Sequence, residues 1–258
     1  MEFFSDFQAF SFFYDQISKT DTELKQYWDD CTSIYVDNKY LVFQAGLHSK
    51  NFTNHLEILN IRNWQKNSKC VLDAGCGIGA VTNFFAEKHL DAEFVGLNIS
   101  PEQLKIASKN CPSNVKYVEG SYDSLPFPNE SFDFIYFYQS IGYKPLLKTL
   151  EEAFRVLKKG GRLLISDMCA VEDPDPIQAQ LIQHVQKSWH YMCYPVWFHL
   201  KTAQLIGLDL LALNPNLNPV LDFSPWNDLV NGGLAEYHSY EVPYAPIKVA
   251  EFLYQKNE

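Results

Sequence analysis

Apolar positions along the chain follow two different periods. From Phe3 to about Arg62 they recur at three- and four-residue spacing, in FFSDFQAFSFFYDQI and ELKQYWDDCTSIYVDNKYLVFQ. That spacing predicts helices and no strand. Asp21-Thr22 with Glu23 is an opening signal for the second helix, and Gly46 interrupts a third piece that Asn51 to Asn60 resumes. From Lys69 the pattern changes to short apolar runs separated by helical stretches. The runs are Lys69 to Asp73, Glu93 to Ser100, Val115 to Glu119, Ser131 to Ser140 and Arg162 to Asp167, the last entered through Gly160-Gly161. Strands alternating with helices predict an open α/β sheet.

Beyond Asp167 the acidic, proline-marked VEDPDPIQ leads into helical spacing again. Pro176 opens IQAQLIQHVQKSWHYM, and VWFHLKTAQLIG follows Tyr194-Pro195 and stops at Gly207. Pro215, Pro219 and Pro225 punctuate a polar connection. Ile247 to Lys256 reads as the closing strand, with a hairpin partner expected near Val220 to Phe223. The organisation expected is a helical N-terminal lid over 1–62 and an α/β domain over 63–258, with cap helices at about 176–207.

The candidate chemistry begins in KCVLDAGCGIGAVT, Lys69 to Thr82. A strand ends at Asp73, and Gly75, Gly77 and Gly79 let the backbone turn tightly against a ligand. The chain becomes helical from Ala80, so exposed N–H groups at a helix start would face that ligand. Alone this is a nucleotide-type loop, and the spacing Gly75, Gly77, Ala80 also satisfies a loose dinucleotide fingerprint.

Composition narrows the partners. The 258 residues carry a net charge of −10, which advertises no basic face and disfavours nucleic acid. No apolar run has the length of a bilayer span, so stable membrane insertion is not expected. The N-terminus has no basic region or cleavage site of a secretory signal. Six cysteines at 31, 70, 76, 111, 169 and 193 form no CxxC pair, which predicts reduced thiols, a cytoplasmic location and no metal site from protein spacing. Aromatics make up 15% of the chain and crowd the first sixty residues and Trp189 to Phe198. The partner expected is a small molecule, with a homo-oligomer left open.

DAGCGIG, LPFPNESFD and RVLKKGGRLLISD, in this order between Lys69 and Asp167, resemble the motif series of the class I S-adenosylmethionine-dependent methyltransferases. The resemblance implies a Rossmann-like seven-stranded sheet with helices on both faces, and S-adenosylmethionine as methyl donor. It implies that Asp73, Gly75, Cys76 and Gly77 hold the methionine moiety, with Cys76 a small filler of the turn. Asn98 stands where the family carries the ribose-binding acid, with Ile99 and Gln103 beside it. Ser121 or Asp123 would read the adenine amine, Tyr122 would meet the ring, and Tyr138 would close the fourth strand. Gln44, in FQAGLH, stands where the family has a donor-contacting turn.

YQSIGYKPL and the segment from Gln178 to Gly207 resemble the geranyl and other prenyl diphosphate C-methyltransferases, and more distantly the sterol-type enzymes. That resemblance implies C-methylation of an isoprenoid alkene through a carbocation, with Mg²⁺ where a diphosphate is carried. The family's glutamate base falls on Gln139, an amide that cannot take a proton at neutral pH. Trp189 falls on the pocket aromatic, and indole is the best ring to face a cation. His48, Tyr143, His190 and Tyr194 complete the expected acceptor side, with Gln139, Trp189 and His190 the catalytic candidates. Lys144 and Lys148 follow the fourth strand within reach of a phosphate. The alternatives are O- or N-methylation of an aromatic secondary metabolite, or a silent module that binds the donor alone.

Overall fold

The computed structural model describes residues 14–38, 68–217 and 247–257. Gln44 and His48 lie outside them, as does most of the 1–62 segment. A helical turn at 14–17 precedes helix α1 (Asp21–Asn38). Thr20 opens α1 through a capping box: its N–H donates to Glu23 Oε2 (2.9 Å) and Glu23 N–H donates back to its Oγ1 (3.3 Å). The cap thus lies one residue before the Asp21-Thr22 signal.

Then come β1 (Cys70–Ala74), α2 (Ala80–Lys88), β2 (Glu93–Asn98), α3 (Pro101–Ala107), β3 (Val115–Glu119), β4 (Phe132–Tyr138), α4 (Leu146–Val156) and β5 (Leu157–Ala170). α5 (Pro176–Trp189), α6 (Val196–Leu205), β6 (Leu208–Leu217) and β7 (Ile247–Lys256) complete the described chain. β2 is two residues shorter than its apolar run because Ser100 leaves the strand to cap α3, accepting from Gln103 N–H (3.1 Å). α5 begins on a capping box between Asp175 and Gln178 with Pro176 in the first turn.

The seven strands lie in the order β3-β2-β1-β4-β5-β7-β6. β1 to β5 run parallel, and β7 is antiparallel to both β5 and β6. Alternation along β1 sends Val71 to one face, with Val81 and Phe85 of α2, and Leu72 and Ala74 to the other, with Leu150 and Ala153 of α4. Burying both faces is what continuous apolar strands require. The chain order reverses between β1 and β4, so a crevice opens at their carboxyl ends.

β7 finds its partner earlier than expected: β6 at 208–217 pairs Leu208 with Lys256 and Leu217 with Val249. The partner expected near Val220 to Phe223 lies outside the described residues. LDLLALNPNL reads as a polar connection because Pro215 and two asparagines interrupt it. On an edge strand those residues are tolerated, and the pairing slips twice, at Leu210/Ala212 and Asn214/Leu217. Among the described residues no helix is long and apolar enough to cross a membrane.

Candidate functional site

A cleft partly open to solvent lies at the carboxyl ends of β1, β2 and β4, with Leu24 and Trp28 of α1 lining it as well. The glycine turn forms its floor. Gly75 sits at φ +91, and a Cβ there would stand 2.5 Å from Ser140 Cβ, so only glycine fits. Gly75 and Cys76 N–H both donate to Leu97 O (2.9 and 3.0 Å), tying the turn to the end of β2. Cys76 is buried, and burial pushes its thiol up, away from a reactive thiolate.

Asp73, one residue before the end of β1, lies at the same floor. Thr82 Oγ1 (2.6 Å) and Tyr136 OH (3.0 Å) both donate to its Oδ2. Burial outweighs these bonds and pushes the carboxyl from 3.8 up to about 7. At the end of β2, Asn98 Nδ2 donates to Gln103 Oε1 (2.7 Å) and Gly77 O (3.3 Å), and its Oδ1 accepts from Ile99 N–H (2.9 Å). Gln103 Nε2 reaches Trp28 O on α1 (3.5 Å). Ser121 lines the cleft and donates to Asp123 Oδ1 (2.5 Å), so the serine is the member of that pair on the wall. Tyr122 donates to Ser140 O and packs edge-on to Phe137.

The opposite wall comes from the turn after β4. Gln139 holds φ +50, a left-handed conformation that costs a non-glycine residue about 1 kcal/mol or more. Its N–H donates to Ser166 O (2.8 Å), while both polar atoms of its amide are buried without a hydrogen-bond partner among the described residues. Tyr143 meets Trp28 (5.2 Å, 83°) and Tyr191 (4.6 Å, 78°) edge to face, and its carbonyl accepts from Tyr14 OH (3.0 Å). Lys144 lines the same end, its side chain only 6% exposed, bonded to Asp21 Oδ1 of α1 and 3.9 Å from Asp123 Oδ2. Behind the wall, Asp167 accepts from Tyr191 OH (2.5 and 2.6 Å), Met168 N–H (2.6 Å) and Ile141 N–H (3.2 Å), which fixes the turn against the cap.

The structure brings together Asp73, Gly75, Cys76, Gly77, Asn98, Ile99, Gln103, Ser121, Tyr122, Tyr138, Gln139 and Tyr143 in one cleft. Three expected acceptor residues do not line it. Trp189 is buried in an apolar layer with Met168, Ile182, Val185 and Val249, between the cap and the sheet. Tyr194 stacks on Phe198 (5.2 Å, 10°) in the main core. His190 ends α5 at φ +53, its Nδ1 3.0 Å from Ile17 O and its ring edge-on to Tyr27. α5 stops at Trp189, so His190 and Tyr194 follow it outside the helix, and all three side chains are spent on the sheet, the core and the N-terminal segment. Lys148 is exposed and off the cleft. Leu24 and Trp28 were not singled out from the sequence; the aromatic crowding of the N-terminal segment was their only signal.

Residues 72–165 match the family model of a methyltransferase domain. A 112-residue stretch is 36% identical to the erythromycin 3''-O-methyltransferase of Saccharopolyspora erythraea, covering 41% of this chain and 37% of that one. The chain spans less than half the length of the first curated relatives it matches. Among solved structures, the [4+2]-cyclase SpnF superposes with TM-score 0.74 at 17% identity, over 93% of this chain and 97% of that one. The geranyl diphosphate C-methyltransferase of Streptomyces coelicolor, in complex with Mg²⁺, geranyl diphosphate and S-adenosyl-L-homocysteine, superposes with TM-score 0.68 at 14% identity, over 92% and 97%. Likenesses at such identities establish a fold and leave the reaction to the site. The chain carries a methyltransferase domain on the class I S-adenosylmethionine-dependent methyltransferase fold.

Proposed function

We propose that the protein is an S-adenosylmethionine-dependent methyltransferase of a small molecule, and that its acceptor is an isoprenoid carbon carried on a prenyl diphosphate. The observation that carries the acceptor is the end wall of the cleft: the edge-to-face rings of Trp28 and Tyr143, with the nearly buried Lys144 in the same wall. Such a wall suits an apolar body with an anionic end.

The floor fits the donor. Asp73 carries both of its hydrogen bonds on Oδ2, so Oδ1 is left for an ammonium group. The Gly75 backbone packs against Ser140 more closely than any Cβ allows, which would hold the turn in place under the donor. Asn98 and Gln103 would take the ribose by exchanging the bond they now share, and Ser121 and Tyr122 would meet the adenine. When bound, the donor supplies a methyl group already activated on a sulfonium, so positioning and exclusion of water are the protein's main tasks. Trp28 and Tyr143 would face the cation that forms on the acceptor, the part the sequence resemblance gave to Trp189. Gln139 would orient groups rather than remove a proton, since it is an amide. Residues 1–62 would act as a lid, of which α1 is the described part.

Labelled methyl from S-adenosylmethionine is offered to C5, C10 and C15 prenyl diphosphates, phenols and amines, each with and without Mg²⁺. Mg²⁺-dependent label in one prenyl diphosphate is expected. Label confined to a phenol or amine overturns the acceptor, and tight donor binding with no transfer overturns the transferase reading. The unpartnered Gln139 amide favours one second reading, an O- or N-acceptor with its own hydrogen-bonding group beside the reacting atom.

A further inference from the structure

Lys144 lines the cleft with a side chain 6% exposed, yet its closest partner, Asp21, stands 61% exposed at the start of α1. A lysine that deep needs a counter-charge, because an uncompensated ammonium away from water is strongly unfavourable. Asp123 gives only part of it, at 3.9 Å and with its Oδ1 already taken by Ser121. The remainder comes from a carboxylate that could return to solvent at little cost.

The other contacts of α1 sit elsewhere. Ser100 Oγ donates to Asp29 Oδ1 (2.5 Å), Gln103 Nε2 to Trp28 O (3.5 Å), and Lys25 pairs with Glu119 (2.5 Å). These hold the helix along the β2 and β3 side of the cleft. At the Tyr143-Lys144 end, α1 supplies the Trp28 ring against Tyr143 and, as its only ionic contact there among the described residues, Asp21.

We infer that Asp21 is a placeholder for the anionic group of the acceptor: a phosphoryl-type anion entering beside Tyr143 takes its place on Lys144, and Asp21 swings into solvent. This rests on the reading of the cleft as the site of an apolar-bodied anion. The exchange is close to charge-neutral for a single negative charge. Asp123 remains beside Lys144, so a diphosphate would enter with a divalent cation to offset its extra charge. Lys144 thereby selects acceptors by charge, and its bond to Asp21 couples the start of α1 to acceptor occupancy while the donor-side contacts stay closed.

Inorganic diphosphate with Mg²⁺ is the probe, titrated calorimetrically into protein loaded with S-adenosylhomocysteine. Asp21→Asn removes the competitor and a negative charge together, so it is expected to tighten the probe by about fivefold or more. Lys144→Met is expected to abolish probe binding and Lys144→Arg to retain it. S-adenosylhomocysteine affinity, measured first on each variant, reports that the fold is intact. Unchanged or weaker probe binding in Asp21→Asn overturns the exchange, as does wild-type binding in Lys144→Met. Should Lys144→Met fail to fold, Asp21→Asn and Lys144→Arg decide. Because no methyl transfer is read, a failed acceptor panel leaves this result standing, and a failed exchange leaves the acceptor panel standing.

Discussion

At the proposed donor end of the cleft, the shape is set by backbone and by hydrogen bonds that close on one another. The Gly75 turn is bonded to Leu97 O, Asp73 is held by Thr82 and Tyr136, and Asn98 is held by Gly77, Ile99 and Gln103. The proposed acceptor end is assembled from side chains on α1, the turn after β4 and, behind it, the cap. It contains a ring cluster, an ion pair reaching an exposed carboxylate, and an amide with no partner among the described residues. The contrast teaches where variation is tolerated. A floor made of backbone accepts few substitutions, whereas a wall made of side chains from separate elements is rebuilt by changing those side chains. Proteins similar to this one in sequence or in fold are named for acceptors as different as erythromycin and geranyl diphosphate.

The largest break of this contrast comes from Gly75→Ala. The new Cβ would stand 2.5 Å from Ser140 Cβ at a φ of +91, combining a steric clash with backbone strain. Those two terms together cost on the order of 3 kcal/mol of folding stability, read by chemical unfolding. Donor binding is expected to be lost in the same variant, because the clash displaces the turn that carries the floor. An alanine variant with wild-type stability and donor affinity would show that the floor is not fixed by backbone.

Asp73 gives the next largest effect. Its carboxyl rises from 3.8 to about 7 on burial, so the folded protein holds that proton more tightly than the unfolded chain. The stability it contributes is therefore present below about pH 4 and lost as pH rises through about 7. Asp167, also raised to about 7 by burial, adds to the same trend. Donor binding runs the other way, since a carboxylate is needed to hold an ammonium. Affinity for S-adenosylhomocysteine should fall by about tenfold for each pH unit below 7. Asp73→Asn should weaken it about tenfold to a hundredfold near pH 7.5 and flatten the profile. A slope that survives in Asp73→Asn would assign the titration to another group.

The donor end was the more legible half in the sequence, for a physical reason. Backbone turns need particular residues at particular positions, so Asp73, Gly75 and Gly77 announce themselves locally, as do apolar runs buried on both sheet faces. The acceptor end depends on which of several buried helical faces meets the cleft. Trp189 and Trp28 both lie on amphipathic helices, and only tertiary packing sends the first into the cap layer and the second to the cleft. β6 was hidden similarly, because Pro215 signals a connection unless the strand is known to be an edge.

The smallest effect sharpens the contrast from the other side. Gln139 combines two local costs, a left-handed backbone at φ +50 and a buried amide with neither atom bonded among the described residues. Local strain of this kind persists where the surroundings impose it, and it concentrates at functional sites. Glycine removes both costs, although it adds conformational freedom to the unfolded chain. Gln139→Gly is therefore expected to raise stability by about 1 kcal/mol in chemical unfolding. The same variant should leave S-adenosylhomocysteine affinity unchanged and lower the transfer rate, because the lost amide faces the acceptor end. A destabilised Gln139→Gly protein would mean that the amide finds its partner within the chain. Stabilisation with undiminished transfer would mean that the strain serves no acceptor, and the wall after β4 would then be as closed as the floor opposite it.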